Sequence, residues 1–281
     1  MTGSVVVGFD GSPESLTATE WGAREAHRRG LPVELLQAWP WPKHDVVGSD
    51  QSYQRALARL AEREAELGAL APGVAVSSSS VTTDPAEALE EAARRAAVLV
   101  LGSRGLGTLR GFLVGSVSQE VLRRADCPVV LVRAGEEEAS GPVTVGLDLA
   151  RPAEPVLAFA FEAAALRSAP LRVVHVWAPP AGSEHMSYGA IGGLEGEVSA
   201  GERADLAEAL ESWRARHPEV AVTTDLVRGK PAVELVTAAA TARLLVLGRR
   251  HHRMPRRHHL GPVAHAAIHH VHCPVAVVPY D

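Results

Sequence analysis

The chain has 281 residues, enough for about two domains, because ~150 residues is a common domain length. Apolar residues make up 46% and charged residues 22%, which is typical of a globular protein, and the net charge of −5 excludes a general attraction to nucleic acid. No apolar run approaches the ~20 residues of a membrane span, and the start of the chain lacks the basic and apolar regions of a signal peptide, so we expect a cytoplasmic protein without membrane contact.

Strands and helices are predicted to alternate along the first half. The apolar run at 5–7 predicts a strand, and Ser12, Pro13 and Glu14 then form a typical helix start, with Gly30 as the stop. Further strands are predicted at 33–36, 74–81, 98–101 and 129–132, with helices at 52–70, 85–95 and after 115. This alternation predicts a doubly wound α/β fold, in which a parallel sheet binds ligands beyond the carboxyl ends of its strands.

The second half repeats the first. Residues 7–10 (Val-Gly-Phe-Asp) correspond to residues 145–148 (Val-Gly-Leu-Asp), 138 positions later. Residues 99–102 (Leu-Val-Leu-Gly) return unchanged 146 positions later as 245–248. The second copy therefore has eight extra residues, which we place in the glycine-rich stretch 182–196 as a flexible loop. We predict domains at 1–134 and 142–281, joined by a short acidic linker.

A glycine-rich segment follows the fourth predicted strand. Its glycines, at 102, 105, 107, 111 and 115, let backbone amides turn toward an anion without obstruction by a Cβ atom. The segment leads into a helix start at Gly115-Ser116, where unpaired N–H groups and the helix dipole favour phosphate. From the residues alone, a phosphate-binding loop and a flexible surface loop with Ser116 as a plain N-cap remain equally open.

The spacing Gly-x2-Gly-x9-Gly-Ser at Gly102, Gly105, Gly115 and Ser116 resembles the ATP-binding motif of the universal stress proteins. Residues 7–12 (Val-Gly-Phe-Asp-Gly-Ser) resemble the opening of that family, and the resemblance covers essentially the whole chain as a tandem pair. It implies two tandem Rossmann-like domains, each with a five-stranded parallel sheet of the adenine-nucleotide-binding type.

The resemblance also implies where ATP binds in the first half. Gly8 and Asp10 are expected on the nucleoside side, with the backbone of Ala38 at the adenine. The rest of the predicted site comprises Gly102, Ser103, Arg104, Gly105, Gly107, Gly115, Ser116 and Val117. From the residues alone, Asp10 has a second interpretation, because aspartate often caps the turn before a helix.

The second copy departs from this motif. His251 replaces the second glycine, Pro262 replaces the serine, and the segment 249–259 between them is rich in arginine and histidine. We therefore expect no cofactor in the second half and a mobile basic surface at 249–259. His265 and His269 lie one helical turn apart, but arginines and the lack of nearby cysteines speak against a metal, so none is assigned.

The resemblance implies an ATP-binding stress-response or regulatory module. The only two lysines, Lys43 and Lys230, lie outside any Gly-x4-Gly-Lys motif, which excludes a P-loop NTPase. No general base lies near the glycine loop, so no catalytic residue is assigned. A slow ATPase and an interaction protein with vestigial sites remain alternatives. We expect two free thiols and pairing of the halves through their last strands, and a homodimer stays open.

Overall fold

The computed structural model describes residues 3–40, 49–105, 112–133, 140–150, 154–177, 188–250 and 260–281. The first half comprises β1 (Ser4–Gly8), α1 (Pro13–Arg29), β2 (Val33–Ala38), α2 (Ser49–Leu70), β3 (Val76–Val81), α3 (Pro85–Ala93), β4 (Ala96–Gly105), β5 (Phe112–Leu113), α4 (Ser116–Arg124) and β6 (Val129–Arg133). The second half comprises β7 (Val143–Gly146), α5 (Glu154–Leu166), β8 (Leu171–Trp177), α6 (Tyr188–Arg216), β9 (Val222–Arg228), α7 (Pro231–Ala238), β10 (Leu244–Arg250), α8 (Pro262–His270) and β11 (Val275–Tyr280).

One sheet runs through both halves in the order β3-β2-β1-β4-β6-β11-β10-β7-β8-β9. The strands within each half are parallel, apart from the short β5, which pairs antiparallel with the end of β4. The last strands of the two halves, β6 and β11, pair antiparallel, with Leu131 opposite Val275 and Val129 opposite Val277. The doubly wound α/β fold predicted from the alternating pattern is confirmed.

Local sequence signals place the first helix as predicted. The Ser12 hydroxyl accepts a hydrogen bond from the Ser15 amide, Pro13 follows the cap, and α1 ends at Gly30 with a φ of 63°. A glycine adopts that left-handed conformation at little cost, and it is common just beyond the end of a helix. These caps fix where α1 begins, directly beyond the carboxyl end of β1.

Two segments differ from the sequence prediction. Strand β4 continues to Gly105, so the first residues of the predicted loop are paired backbone and not loop. In the second half, α6 begins at Tyr188, so 188–196 is helical and not the predicted flexible loop. Residues 106–111, 134–139, 178–187 and 251–259 lie outside the described residues, and most of the predicted linker lies among them.

Apolar side chains bury both faces of the sheet. Helices α1, α2, α5 and α6 cover one face, and α3, α4, α7 and α8 cover the other. The two cysteines are free and buried on the second face. Burial raises the pKa of the Cys127 thiol to about 12, which marks it as a small core side chain and not a nucleophile.

Helices α1 and α5 bring matched arginines across the boundary between the halves. Arg29 Nη1 donates to Glu162 at 2.7 Å, and its guanidinium lies 5.1 Å from the ring centroid of Phe159. In return, Arg167 donates to Glu25 and lies 5.7 Å from the ring of Trp21. Arg29 and Arg167 are 138 positions apart, as are Trp21 and Phe159. The contact between the halves is therefore reciprocal and approximately two-fold.

Candidate functional site

A cavity of about 470 Å³ opens beyond the carboxyl ends of β1 and β4. These strands are hydrogen-bonded neighbours, and the chain continues from them to opposite sides of the sheet, which is where doubly wound folds bind ligands. The cavity is lined by Gly8, Phe9, Asp10, Ser12, Glu14, Ser15, Leu36, Ala38, Pro85, Leu89, Leu101, Gly102, Gly115, Ser116, Val117 and Ser118.

Glycines at the two strand ends allow close packing around this cavity. A Cβ atom on Gly102 would lie 2.5 Å from the carbonyl carbon of Glu14 and 2.8 Å from the Ser15 nitrogen. A Cβ atom on Gly8 would lie 2.7 Å from a methyl group of Leu101. Gly102 is therefore required by the first turn of α1, whose backbone rests directly on it.

The start of α4 presents its backbone amides at one end of the cavity. Gly115 is the N-cap, and no side chain caps the helix. The first intrahelical bond runs from the Gln119 amide to the Gly115 carbonyl, so the N–H groups of Ser116, Val117 and Ser118 have no partner within the helix. Uncapped amides, the helix dipole and serine hydroxyls together suit an anionic group.

Asp10 lines the cavity and also holds a turn. Its Oδ1 accepts a hydrogen bond from the Ser12 amide at 2.9 Å, and Asp148 makes the equivalent bond to the Ala150 amide at 3.1 Å. The turn-capping interpretation of Asp10 therefore describes a bond that it does make. The same carboxylate lines the cavity, so capping the turn does not remove it from the site.

The structure brings together seven of the predicted site residues in this cavity: Gly8, Asp10, Ala38, Gly102, Gly115, Ser116 and Val117. Ser103 does not line it. Its side chain is buried elsewhere, and its hydroxyl accepts a hydrogen bond from Arg133. The backbones of Arg104 and Gly105 pair with β5, and Gly107 lies outside the described residues.

Sequence reasoning missed the apolar wall of the cavity and the α1 residues beside Gly102. Leu36, Pro85 and Leu89 form that wall, and Glu14 and Ser15 come from the first turn of α1. The helix start at Ser12 could have predicted Glu14 and Ser15 as site residues, because a helix that follows β1 directly must begin at the same edge of the sheet.

Comparison with known proteins follows the same two-part division. The sequence model of the universal stress protein family matches residues 1–133 and again residues 140–279. The chain belongs to the universal stress protein family. The double match confirms the resemblance found in the sequence and the tandem form.

Relatives and solved structures of universal stress proteins agree with this assignment. A universal stress protein of Mycobacterium bovis is 32% identical, over 97% of this chain and 96% of that relative. One of Mycobacterium tuberculosis is 33% identical, over 88% of this chain and 86% of the relative. The crystal structure of a universal stress protein from Archaeoglobus fulgidus has a TM-score of 0.75 at 18% identity and covers 98% of both chains. That likeness confirms the fold.

The second half of this universal stress protein has a cavity of about 400 Å³ in the equivalent place. Gly146, Asp148 and Gly248 line it as their counterparts line the first cavity. The end of this cavity that corresponds to the start of α4 differs. There α8 begins with Pro262, Val263 and Ala264, which have no hydroxyl groups, and Pro262 has no N–H. The Tyr280 ring lies against Gly248, with a ring carbon 2.6 Å from where a Cβ atom would be.

Arg249 corrects the prediction of a mobile basic surface at 249–259. Its side chain is buried, and its guanidinium donates to the carbonyls of Arg123, at 2.9 Å, and Ala125. Burial lowers the pKa of Arg249 from its usual value, and the nearby charge of Asp126 opposes that shift. Arg250 is exposed, and the rest of that segment lies outside the described residues.

No helix in the described part of the chain is both long and apolar enough to span a membrane.

Proposed function

We propose that the first half of this universal stress protein binds an adenine nucleotide, ATP, in the cavity between β1 and β4. The start of α4 carries the proposal. Its uncapped amides and the serines at 116 and 118 lie at one end of a cavity of about 470 Å³, a size within the usual range for small-molecule sites. The nucleoside would lie toward Asp10 and Ala38, and the phosphates toward Gly115, Ser116 and Val117.

The charges around the cavity favour binding of the phosphates through the backbone. Among the described residues that line it, the charged side chains are the carboxylates of Asp10 and Glu14, and none is a cation. Amides, hydroxyl groups and the helix dipole are therefore the described partners for the negative charge. Arg104, Gly105 and Gly107 are proposed to belong to the phosphate side of the site.

The second half is proposed to hold no ATP, because the start of α8 lacks the groups that make the first site. This gives one nucleotide per chain, with 1–134 as the nucleotide-binding domain and 142–281 as its intramolecular partner, paired through the last strands. The chain would then act in the cytoplasm as an ATP-dependent regulatory module in the stress response, and not as an enzyme.

The test is calorimetric titration of the full chain with ATP, preceded by identification of any nucleotide released on denaturing the purified protein. The proposal expects adenine nucleotide in the released fraction and about one ATP bound per chain. Two equivalent sites would contradict the assignment of the second half, and no binding would contradict the proposal as a whole. Phosphate release from the same samples decides whether the alternative of a slow ATPase holds.

A further inference from the structure

Two buried arginines cross between the halves, and each binds the end of a helix in the other half. Arg249 at the end of β10 donates to the carbonyls of Arg123 and Ala125, at the C-terminus of α4. Arg133 at the end of β6 donates to the carbonyls of Ile268, at 2.6 Å, and Val271, at 3.2 Å, at the C-terminus of α8. Helices α4 and α8 occupy equivalent places in the repeat, 146 positions apart.

The C-terminus of α4 needs such a partner. The helix has nine residues, and it ends at Ala125 in an extended conformation without the glycine that usually closes a helix. A helix this short is unstable by itself, and its last carbonyls have no N–H donors within the helix. A guanidinium there satisfies two carbonyls at once and places a positive charge at the negative end of the helix dipole.

We propose that Arg249 is a positioning residue for the nucleotide site of the other half. Helix α4 is about 13 Å long, at 1.5 Å per residue. Its first amides line the cavity of the first half, and Arg249 holds its far end. Anchoring that end keeps the amides of Ser116 and Val117 aimed at the phosphates, so the second half completes a site to which it contributes no contact. This inference rests on the proposed function.

The repeat shows which residue of the first half corresponds to Arg249. Arg249 stands 146 positions after Ser103, next to the retained Gly248. In the first half, the hydroxyl at that place accepts a hydrogen bond from Arg133, so both positions lie at the boundary between the halves. Arg249 departs from the nucleotide motif in the second half, but it stabilises the helix whose start lines the cavity of the first half.

The experiment compares ATP and adenosine binding by calorimetry in the full chain, for the natural sequence, Arg249→Met, Arg249→Lys and the control Arg167→Met. Arg167 also crosses between the halves, but its partner Glu25 belongs to α1, which has 17 residues and is capped by Ser12 and Gly30, so α1 does not depend on an arginine from the other half. Arg249→Met should weaken ATP binding by about three- to thirtyfold, the usual range for a residue that acts through its neighbours. The affinity for adenosine should stay within about twofold of the natural chain's. Arg249→Lys should fall between, because it keeps the charge but loses the fork of donors.

Hydrogen exchange of the nucleotide-free chain provides a second measurement. Amides of α4 should exchange faster in Arg249→Met and should be unchanged in Arg167→Met. If Arg249→Met loses affinity for ATP and adenosine equally, or Arg167→Met loses as much affinity for ATP, the inference is overturned. The proposed nucleotide site is not affected by either result. A natural chain that binds no ATP would overturn the proposed function and this inference with it. If Arg249→Met does not fold, the same comparison is decided with Arg249→Lys.

Discussion

Replacing Gly102 with alanine tests the packing that forms the cavity. The added methyl group would lie 2.5 Å from the carbonyl carbon of Glu14, 2.6 Å from its oxygen and 2.8 Å from the Ser15 nitrogen. These are backbone atoms in the first turn of α1, so no side-chain rotation relieves the overlap. Either α1 or β4 must shift by several tenths of an ångström, and overpacking of this kind costs about 1–3 kcal/mol.

Thermal and urea unfolding of Gly102→Ala in the full chain measure this cost. A loss of that size should lower the midpoint of thermal unfolding by roughly 2–12 °C for a chain of this length. Gly68→Ala is the matched control, because its methyl group meets nothing within 4 Å and lies in α2. That variant should gain about 0.5–1 kcal/mol from helix propensity. If Gly102→Ala is as stable as the natural chain, the close approach of α1 to β4 is wrong.

Further predictions concern groups outside the cavity. Burial raises the pKa of Cys127 to about 12, so the native chain should resist labelling by iodoacetamide at neutral pH, whereas denaturant should expose the thiol. Rapid labelling of Cys127 in the native chain would contradict its burial. The hydrogen bonds from Arg95 lower the pKa of Glu34, so its contribution to stability is present above the unfolded pKa and is lost as pH falls through the folded pKa. Glu34→Gln should therefore cost about 0.2–1 kcal/mol at neutral pH, since Arg95 is half exposed. The difference should disappear in acid, and a constant difference in urea unfolding across pH would refute the ion pair.

Signals within a few residues of one another predicted most of the fold. Ser12, Pro13 and Gly30 fixed the first helix, and short apolar runs bounded by turns fixed the strands of the parallel sheet. The glycine at 102 was predicted as a site residue for its freedom to turn toward an anion. The structure gives a different reason for it, the close approach of the α1 backbone.

Strand alternation explains why Ser103 is not in the cavity. Strand β4 continues past Gly102 to Gly105, and successive side chains of a strand point to opposite faces. Gly102 therefore lines the cavity, and the next hydroxyl is buried against Arg133. The sequence prediction ended this strand at residue 101, so it did not anticipate that the side chains after Gly102 alternate between the two faces.

The buried arginines could not be found from local patterns. The backbone carbonyls that Arg133 and Arg249 bind lie more than a hundred positions away, in the other half of the chain. Arg249 stands at the edge of a run of arginines and histidines, and such a run predicts an exposed surface. Its burial depends on the two halves being side by side, which no window of neighbouring residues encodes.

The uncapped start of α4 is proposed to hold the phosphates of a nucleotide. Gly115 and Gly261 are the N-caps of α4 and α8, with φ of −59° and −58°, and a Cβ atom at either would meet nothing within 4 Å. An aspartate at either position should cap its helix and place a negative charge over the amides without loss of stability.

Calorimetric titration of Gly115→Asp and Gly261→Asp with ATP is the most direct test. Gly115→Asp should weaken ATP binding by about tenfold or more, equivalent to at least ~1.4 kcal/mol, because the carboxylate competes with phosphate for the same amides. Gly261→Asp should keep the affinity and the single site of the natural chain. Unchanged binding in Gly115→Asp, or equal losses in both variants, would contradict the proposal.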